Sequence, residues 1–318
     1  MSADPNWTTL VDAATLSAAL QHPQLRLLDA RAAPPTAPDP HAARKAYAQG
    51  HLPGAHYADL DHDLADLSRP AQGRHPLPHS QAFAGRLGEW GIDPQSQVVV
   101  YDAADGSMAA ARAWWMLRLM GHRRVAVLDG GLAAWRAAGF AESTESPALR
   151  SGAAYPGHFD ATAVVDAEQI VQRLQQAPGW LLDARAGERF RGEVEPIDPV
   201  AGHVPGAVSR PLGLNLRDGR FKPAAELRAE LSALLGAYRP EQAVVMCGSG
   251  VTACHLLLAL KWPGYQERAS TPVPGAVGCK TPRVRSRPAP DCRHNGGRNG
   301  DLWGRRFAAR SAVSCSAG

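Results

Sequence analysis

The amino-acid sequence repeats itself, and this constrains the fold more than any other feature. LLDAR at Leu27–Arg31 returns at Leu181–Arg185. GHLPGA at Gly50–Ala55 returns as GHVPGA at Gly202–Ala207, and VVVYD at Val98–Asp102 aligns with AVVMC at Ala243–Cys247. The three offsets, 154, 152 and 145 residues, keep their order and drift slowly. That pattern marks a duplicated domain, because the period is far longer than the ~20–50 residues of a solenoid unit. Both halves of the chain are therefore expected to adopt one architecture.

Each copy alternates strand-like and helix-like segments. Leu25–Asp29 and Trp180–Asp183 are short apolar runs ending in Asp, and Val98–Tyr101 and Ala243–Met246 read as further buried strands. Ser107–Leu119 and Thr252–Leu260 are apolar helices directly after them. Pro223–Leu235 has helical periodicity with proline at its start, where the missing N–H costs little. Such alternation predicts an α/β fold: two domains, each a mainly parallel sheet flanked by helices, with ligands at the carboxyl ends of strands. The expected boundaries are 1–140 for the first domain, 141–160 for a linker within a Ser/Pro/Gly/Ala-rich stretch, 161–261 for the second domain and 262–318 for a separate tail. Pro34–Pro40 reads as a loop inside the first copy.

Composition matters mainly through where the charge lies. The chain of 318 residues has a formal charge of +4, a value that can hint at nucleic acid. Residues 262–318, however, hold ten Lys and Arg against three Asp and Glu, while residues 1–261 hold 24 against 27. The basic excess belongs to the last 57 residues, and no nucleic-acid partner is expected for the body. No apolar run approaches the ~20 residues of a membrane span, and the N-terminal segment has no basic and apolar leader pattern. Five cysteines make no disulfide scaffold in a chain of this length. A cytoplasmic monomer without membrane partner, metal or cofactor is the expectation.

The strongest chemical signal is MCGSGVT at Met246–Thr252. A buried strand delivers Cys247, Gly248 and Gly250 permit a tight loop, and a helix starts near Thr252. Backbone N–H groups and the helix N-terminus favour a thiolate there, which is a nucleophile's setting. A nucleotide-binding loop would need Gly-Lys-Ser/Thr, and no lysine follows. A cysteine phosphatase loop would need arginine six positions after the cysteine, where this chain has Ala253. The loop thus suits a small acceptor atom. Cys254, two helical turns on, reads as a packed helix residue.

These residues, with both DAR strand ends, both GHxPGA segments, ARAWWMLRLMGH at Ala111–His122 and VLDGGLAAW at Val127–Trp135, resemble the tandem-domain rhodanese-like sulfurtransferases over roughly residues 5–260. The Cys247 loop is similar to that of the 3-mercaptopyruvate type. The resemblance implies that Cys247 takes sulfur from a donor as a persulfide and passes it to cyanide or to a thiol such as thioredoxin. It also implies a catalytically silent first copy, and Asp102 stands there in place of Cys247. Arg189 matches the family's donor-binding arginine, whose planar fork suits a carboxylate or sulfonate. Ser249 is implied in handling the leaving group, and Asp61 and His75 of the first copy resemble a proton relay facing the catalytic loop. Gly248, Gly250, Val251 and Thr252 complete the set as substrate-binding positions. His51 and His203, in the GHxPGA turns, are expected to hydrogen-bond within those turns. A second arginine usual in the mercaptopyruvate type is missing, since the chain reads Glu195-Pro196-Ile197-Asp198. A thiosulfate-specific enzyme of the same fold therefore stays open, as does an inactive product.

That last alternative comes from the tail. The first copy continues through Val125–Leu128, a Gly-Gly pair and a helix bearing Trp135. The equivalent window in the second copy, Ser270–Val273, reads STPV with Pro272 inside it, and proline is excluded from central strands. The second domain is thus expected to lack its last strand and helix. A translated frameshift near Lys261 accounts for this, with a genuine basic extension as its rival.

Overall fold

In the computed structural model, which describes residues 5–34, 37–104, 109–150 and 152–262, both copies follow one path. The first copy runs β1 (Leu10–Val11), α1 (Ala13–Ala18), β2 (Leu25–Asp29), α2 (Ala42–Gln49), β3 (Ala55–Tyr57), α3 (Ser80–Glu89), β4 (Gln97–Tyr101), α4 (Ala109–Leu119), β5 (Val125–Leu128) and α5 (Gly131–Ala137). Its sheet has the order β1-β5-β4-β2-β3, and every pairing is parallel. Strand β4 is buried at all five positions, as a central strand covered on both faces must be.

The second copy runs α6 (Ala167–Gln172), β6 (Leu181–Asp183), α7 (Gly187–Arg191), β7 (Val208–Ser209), β8 (Leu216–Arg217), β9 (Arg220–Phe221), α8 (Ala224–Leu235), β10 (Val244–Met246) and α9 (Val251–Lys261). Its parallel sheet, β10-β6-β7, reproduces the β4-β2-β3 portion of the first. Strands β8 and β9 form a separate antiparallel pair. The counterpart of β1 would be Val164 and Val165, just before an Asp166 cap that repeats the Asp12 cap of α1. They form no strand, and β1 owes its pairing to β5. The expected counterpart of β5, residues 270–273, lies outside the described residues, as does the whole of the tail beyond Trp262.

The repeated sequence words have physical jobs. Each DAR arginine folds back on its aspartate inside the protein: Arg31 to Asp29 at 2.6 Å and Arg185 to Asp183 at 2.7 Å. Each also donates to a carbonyl at the start of its GHxPGA segment, Gly50 at 2.8 Å and Gly202 at 2.7 Å. Each GHxPGA histidine bonds a helix carbonyl through Nδ1, His51 to Tyr47 and His203 to Phe190, both at 2.8 Å. The two rings stack on those same residues at 4.0 and 3.8 Å. The bonds therefore run to the preceding helix, α2 or α7, and not within the turn itself.

Residues between the copies are tied down. His51 and Ser143 exchange two backbone bonds, the Arg150 N–H donates to Glu89 and the Tyr155 N–H to Ala84. Helix α4 packs against α9, and one buried apolar cluster runs from Leu28 and Trp115 in the first copy to Val245 and Leu256 in the second. Element edges differ little from the sequence reading. Helix α9 starts at Val251, Pro223 precedes α8, and the described part of α4 begins at Ala109.

Candidate active site

A cleft of about 490 Å³ opens at the carboxyl end of β10, between the copies. The second copy contributes Arg189, Ile197, Cys247, Gly248, Ser249, Val251 and Thr252. The first contributes Tyr57, Asp59, Leu60, Asp61, Leu67, Arg74, His75 and the stretch from Ala32 to Ala43, of which Ala32, Ala33, Pro34, Ala37, Pro40 and Ala43 line the wall. Both copies thus give the cleft polar and apolar lining residues.

Cys247 leaves β10 almost fully buried, at 4% exposure. Its Sγ accepts the Gly250 N–H at 3.1 Å, and α9 starts at the next residue. The sulfur thus sits at the N-terminus of α9 with a backbone donor turned toward it. The two loop glycines serve different needs. Gly250 sits at φ +82°, a left-handed conformation that side chains resist. Gly248 shows no such backbone angle. A Cβ there would collide with the Arg74 guanidinium and approach an Asp198 oxygen to 2.6 Å, so its need is for close approach. Cys254 is fully buried in α9 and its Sγ donates to the Gly250 carbonyl at 3.2 Å, which holds the loop from behind.

His75 Nε2 lies 3.2 Å from Asp61 Oδ1, and His75 Nδ1 is buried with no partner among the described residues. Burial, reinforced by the charges of Arg112 and Arg74, holds His75 below the usual imidazole range against the pull of Asp61. The loop that carries His75 is fixed by Arg112 of α4, fully buried, which donates to the carbonyls of Leu64 and His75 at 3.2 and 3.0 Å. Helix α4, which packs on α9, thereby fixes a first-copy residue in the cleft that holds the second-copy cysteine.

Arg189, on α7, lines the cleft but is engaged. It bonds Glu195 at 2.7 Å and Asp198 at 2.8 Å. Burial opposes ionisation of Glu195, yet the Arg189 bond and charge, with the N–H groups of Asp198 and Ile197, hold its carboxyl below the usual range. Arg74 reaches from the first copy to the other oxygen of Asp198, at 3.1 Å. Of the residues singled out from sequence, Cys247, Ser249, Gly248, Val251, Thr252, Arg189, Asp61 and His75 line this one cleft, and Gly250 shapes its floor. Sequence reasoning missed Arg74, Tyr57 and the functional placement of the Pro34–Pro40 loop. It also passed over Asp198, whose carboxylate joins the two lining arginines Arg74 and Arg189. Arg74 stood beside His75, and Asp198 stood in the segment where an arginine was expected, so both carried a signal.

A family model for the rhodanese-like domain matches residues 12–138. The chain is 48% identical to a probable 3-mercaptopyruvate sulfurtransferase of Pseudomonas aeruginosa, over 80% of this chain and 89% of that protein. It is 43% identical to SseB of Mycobacterium tuberculosis, a putative thiosulfate sulfurtransferase, over 70% of this chain and 77% of that one. Among solved structures, SseA of Escherichia coli, a 3-mercaptopyruvate sulfurtransferase with the rhodanese fold, superposes with a TM-score of 0.71 at 32% identity. That match covers 86% of this chain and 98% of SseA.

Proposed function

The chain belongs to the rhodanese-like sulfurtransferases, and on that premise we propose that it moves sulfane sulfur from 3-mercaptopyruvate through Cys247 to a thiol or cyanide. The observation that carries this reading is the setting of Cys247. Its Sγ is hydrogen-bonded at the N-terminus of α9, on the floor of a cleft that also holds two arginines and a His–Asp pair. The thiolate attacks the donor sulfur, a sulfur–sulfur bond forms, and the donor's carbon–sulfur bond breaks. The released electron pair passes to carbon, which takes up a proton to give pyruvate. An acceptor thiolate then attacks the outer sulfur, and Cys247 leaves as thiolate.

His75, held below the usual imidazole range by burial, bonded to Asp61 on one nitrogen and without a partner among the described residues on the other, suits proton transfer in this scheme, with Ser249 in the same cleft as the sulfur. Asp102, the counterpart of Cys247, has no sulfur, which leaves the first copy to shape the cleft. Thiosulfate is the second reading, favoured by Ile197 and Asp198 standing where a second donor-binding arginine is expected and by the activity named for SseB. Intact-mass measurement after incubation with each donor tests both. A gain of about 32 Da that is lost in Cys247→Ser supports the carrier. The donor that loads faster names the specificity, and no adduct from either defeats the proposal.

A further inference from the structure

Asp198 occupies an unusual place. Its carboxylate lies between Arg74 of the first copy, at 3.1 Å, and Arg189 of the second, at 2.8 Å, with only 8% of its side chain exposed. It is also packed over Gly248, so close that a methyl group on that glycine would touch it. The two arginines line the cleft and flank the sulfur-bearing loop. They are the cations that an anionic donor would meet, and a carboxylate of the protein already holds both.

The surrounding ion-pair network leaves no surplus charge. Arg189 also pairs with Glu195, and Glu195 is 3.5 Å from Arg185, which is itself paired with Asp183. Three guanidinium groups thus face three carboxylates. Of these, Asp183 and Glu195 are at most 5% exposed and have further fixed partners: Asp183 bonds its own arginine through both oxygens, and Glu195 accepts two backbone N–H groups. The Asp198 carboxylate, among the described residues, accepts its hydrogen bonds from Arg74 and Arg189. It is the anion in the set that can leave without stripping backbone donors of their partner.

We infer that Asp198 is an internal competitor for the Arg74–Arg189 pair, a specificity-determining residue whose displacement is required before a donor carboxylate or sulfonate can bind there. The inference rests on the sulfur-transfer reading only for the identity of the donor. A guanidinium–carboxylate bond is strong and directional, so an incoming anion gains little beyond what Asp198 already supplies. Removing the internal charge while keeping its shape frees Arg74 of its carboxylate, leaves Arg189 with Glu195 alone, and tightens anion binding. A residue that merely oriented the arginines would have the opposite effect.

The test uses the full chain carrying Cys247→Ser, titrated calorimetrically with pyruvate, a carboxylate without transferable sulfur. With Asp198→Asn added, pyruvate is expected to bind about tenfold more tightly, and further addition of Arg189→Gln should abolish the gain. Asp198→Glu, which keeps the competing charge, should bind as weakly as the parent. Asp198→Ser serves in place of the asparagine variant should that one not fold, as judged by circular dichroism. Unchanged or weaker pyruvate binding in the uncharged variants overturns the inference. Tighter pyruvate binding in these variants, together with no sulfur uptake from either donor by the parent chain that keeps Cys247, would uphold it and defeat the sulfur-transfer reading alone.

Discussion

The two copies coincide bond for bond in one place and part company in another. Asp29–Arg31 and Asp183–Arg185 form the same buried pair, and the histidine stacked on Tyr47 has its twin stacked on Phe190. The loops leaving β4 and β10 do not match. In the first copy the Asp102 and Ala103 carbonyls accept the N–H groups of Leu132 and Ala133 at 2.9 and 3.2 Å, so the loop is fastened to α5. In the second copy the sulfur of Cys247 accepts the Gly250 N–H and faces a cleft. Duplication preserved the contacts that close each domain. The difference falls at the carboxyl end of these strands, the position where α/β folds place chemistry.

The largest expected effect comes from copying the first loop's residue into the second. Cys247→Asp should lower sulfur transfer by more than about 10³-fold, since Cys247 is the one thiol among the described residues that line the cleft. Asp102→Cys should not restore it, because that side chain does not line the cleft. Steady-state transfer to cyanide measures both. Appreciable turnover in the double variant would show that the two loops are closer in function than their surroundings suggest.

Next in size is a matched pair that probes the shared scaffold. Arg31→Met and Arg185→Met each leave a fully buried aspartate without its partner, Asp29 or Asp183. Breaking a buried ion pair from one side costs about 3–5 kcal/mol, so both variants should fall by similar amounts in denaturant unfolding. A large loss in one and a small loss in the other would mean that the copies support the whole unequally. The repeats themselves announced these residues. LLDAR and GHxPGA recur because an arginine that joins a strand end to the next turn cannot vary without orphaning a charge.

The rest of the site was legible in proportion to how local it is. Cys247, its glycines and the helix behind them form one contiguous word, so strand, loop and helix could be read together. The opposite wall could not be read that way. Pro34, Ala37 and Pro40 looked like loop filler, yet with Arg74 they line the cleft that holds the sulfur, far from it in sequence. Gly248 was legible as a glycine but for the wrong reason. Its requirement comes from Arg74 and Asp198, more than a hundred and about fifty residues away in sequence.

A smaller effect separates the copies by pH. His56 in β3 is pushed down to about 4 from its ordinary 6.5, first by burial and then by the charges of Arg150, Arg26 and Arg86. The folded state thus resists protonating it, and the unfolded chain does not. Its contribution is fully present above the unfolded value near 6.5 and is lost as pH falls toward 4. Thermal midpoints should drop across that window, and less steeply in His56→Gln. The same slope in both proteins would assign the acid sensitivity to other groups.

The smallest expected effect is the most direct test of the division of labour. Asp102 is buried, at 5% exposure, and its strand-end position is the counterpart of Cys247. If the first copy serves only as wall and relay, a change confined to that carboxylate should not reach the chemistry. Asp102→Asn keeps the shape and removes the charge, and the kcat/KM of transfer should stay within about twofold of the parent, the size of an ordinary substitution away from the reacting groups. Two routes could carry an effect into the cleft from there: strain passed through α4 to Arg112, or a changed field at His75. The first would lower thermal stability together with kcat, because Arg112 holds the Leu64 and His75 carbonyls. The second would move the pH dependence of transfer and leave stability alone. A loss of more than about tenfold with an unmoved midpoint and a shifted pH profile would therefore mean that the first copy is electrostatically part of the catalytic centre.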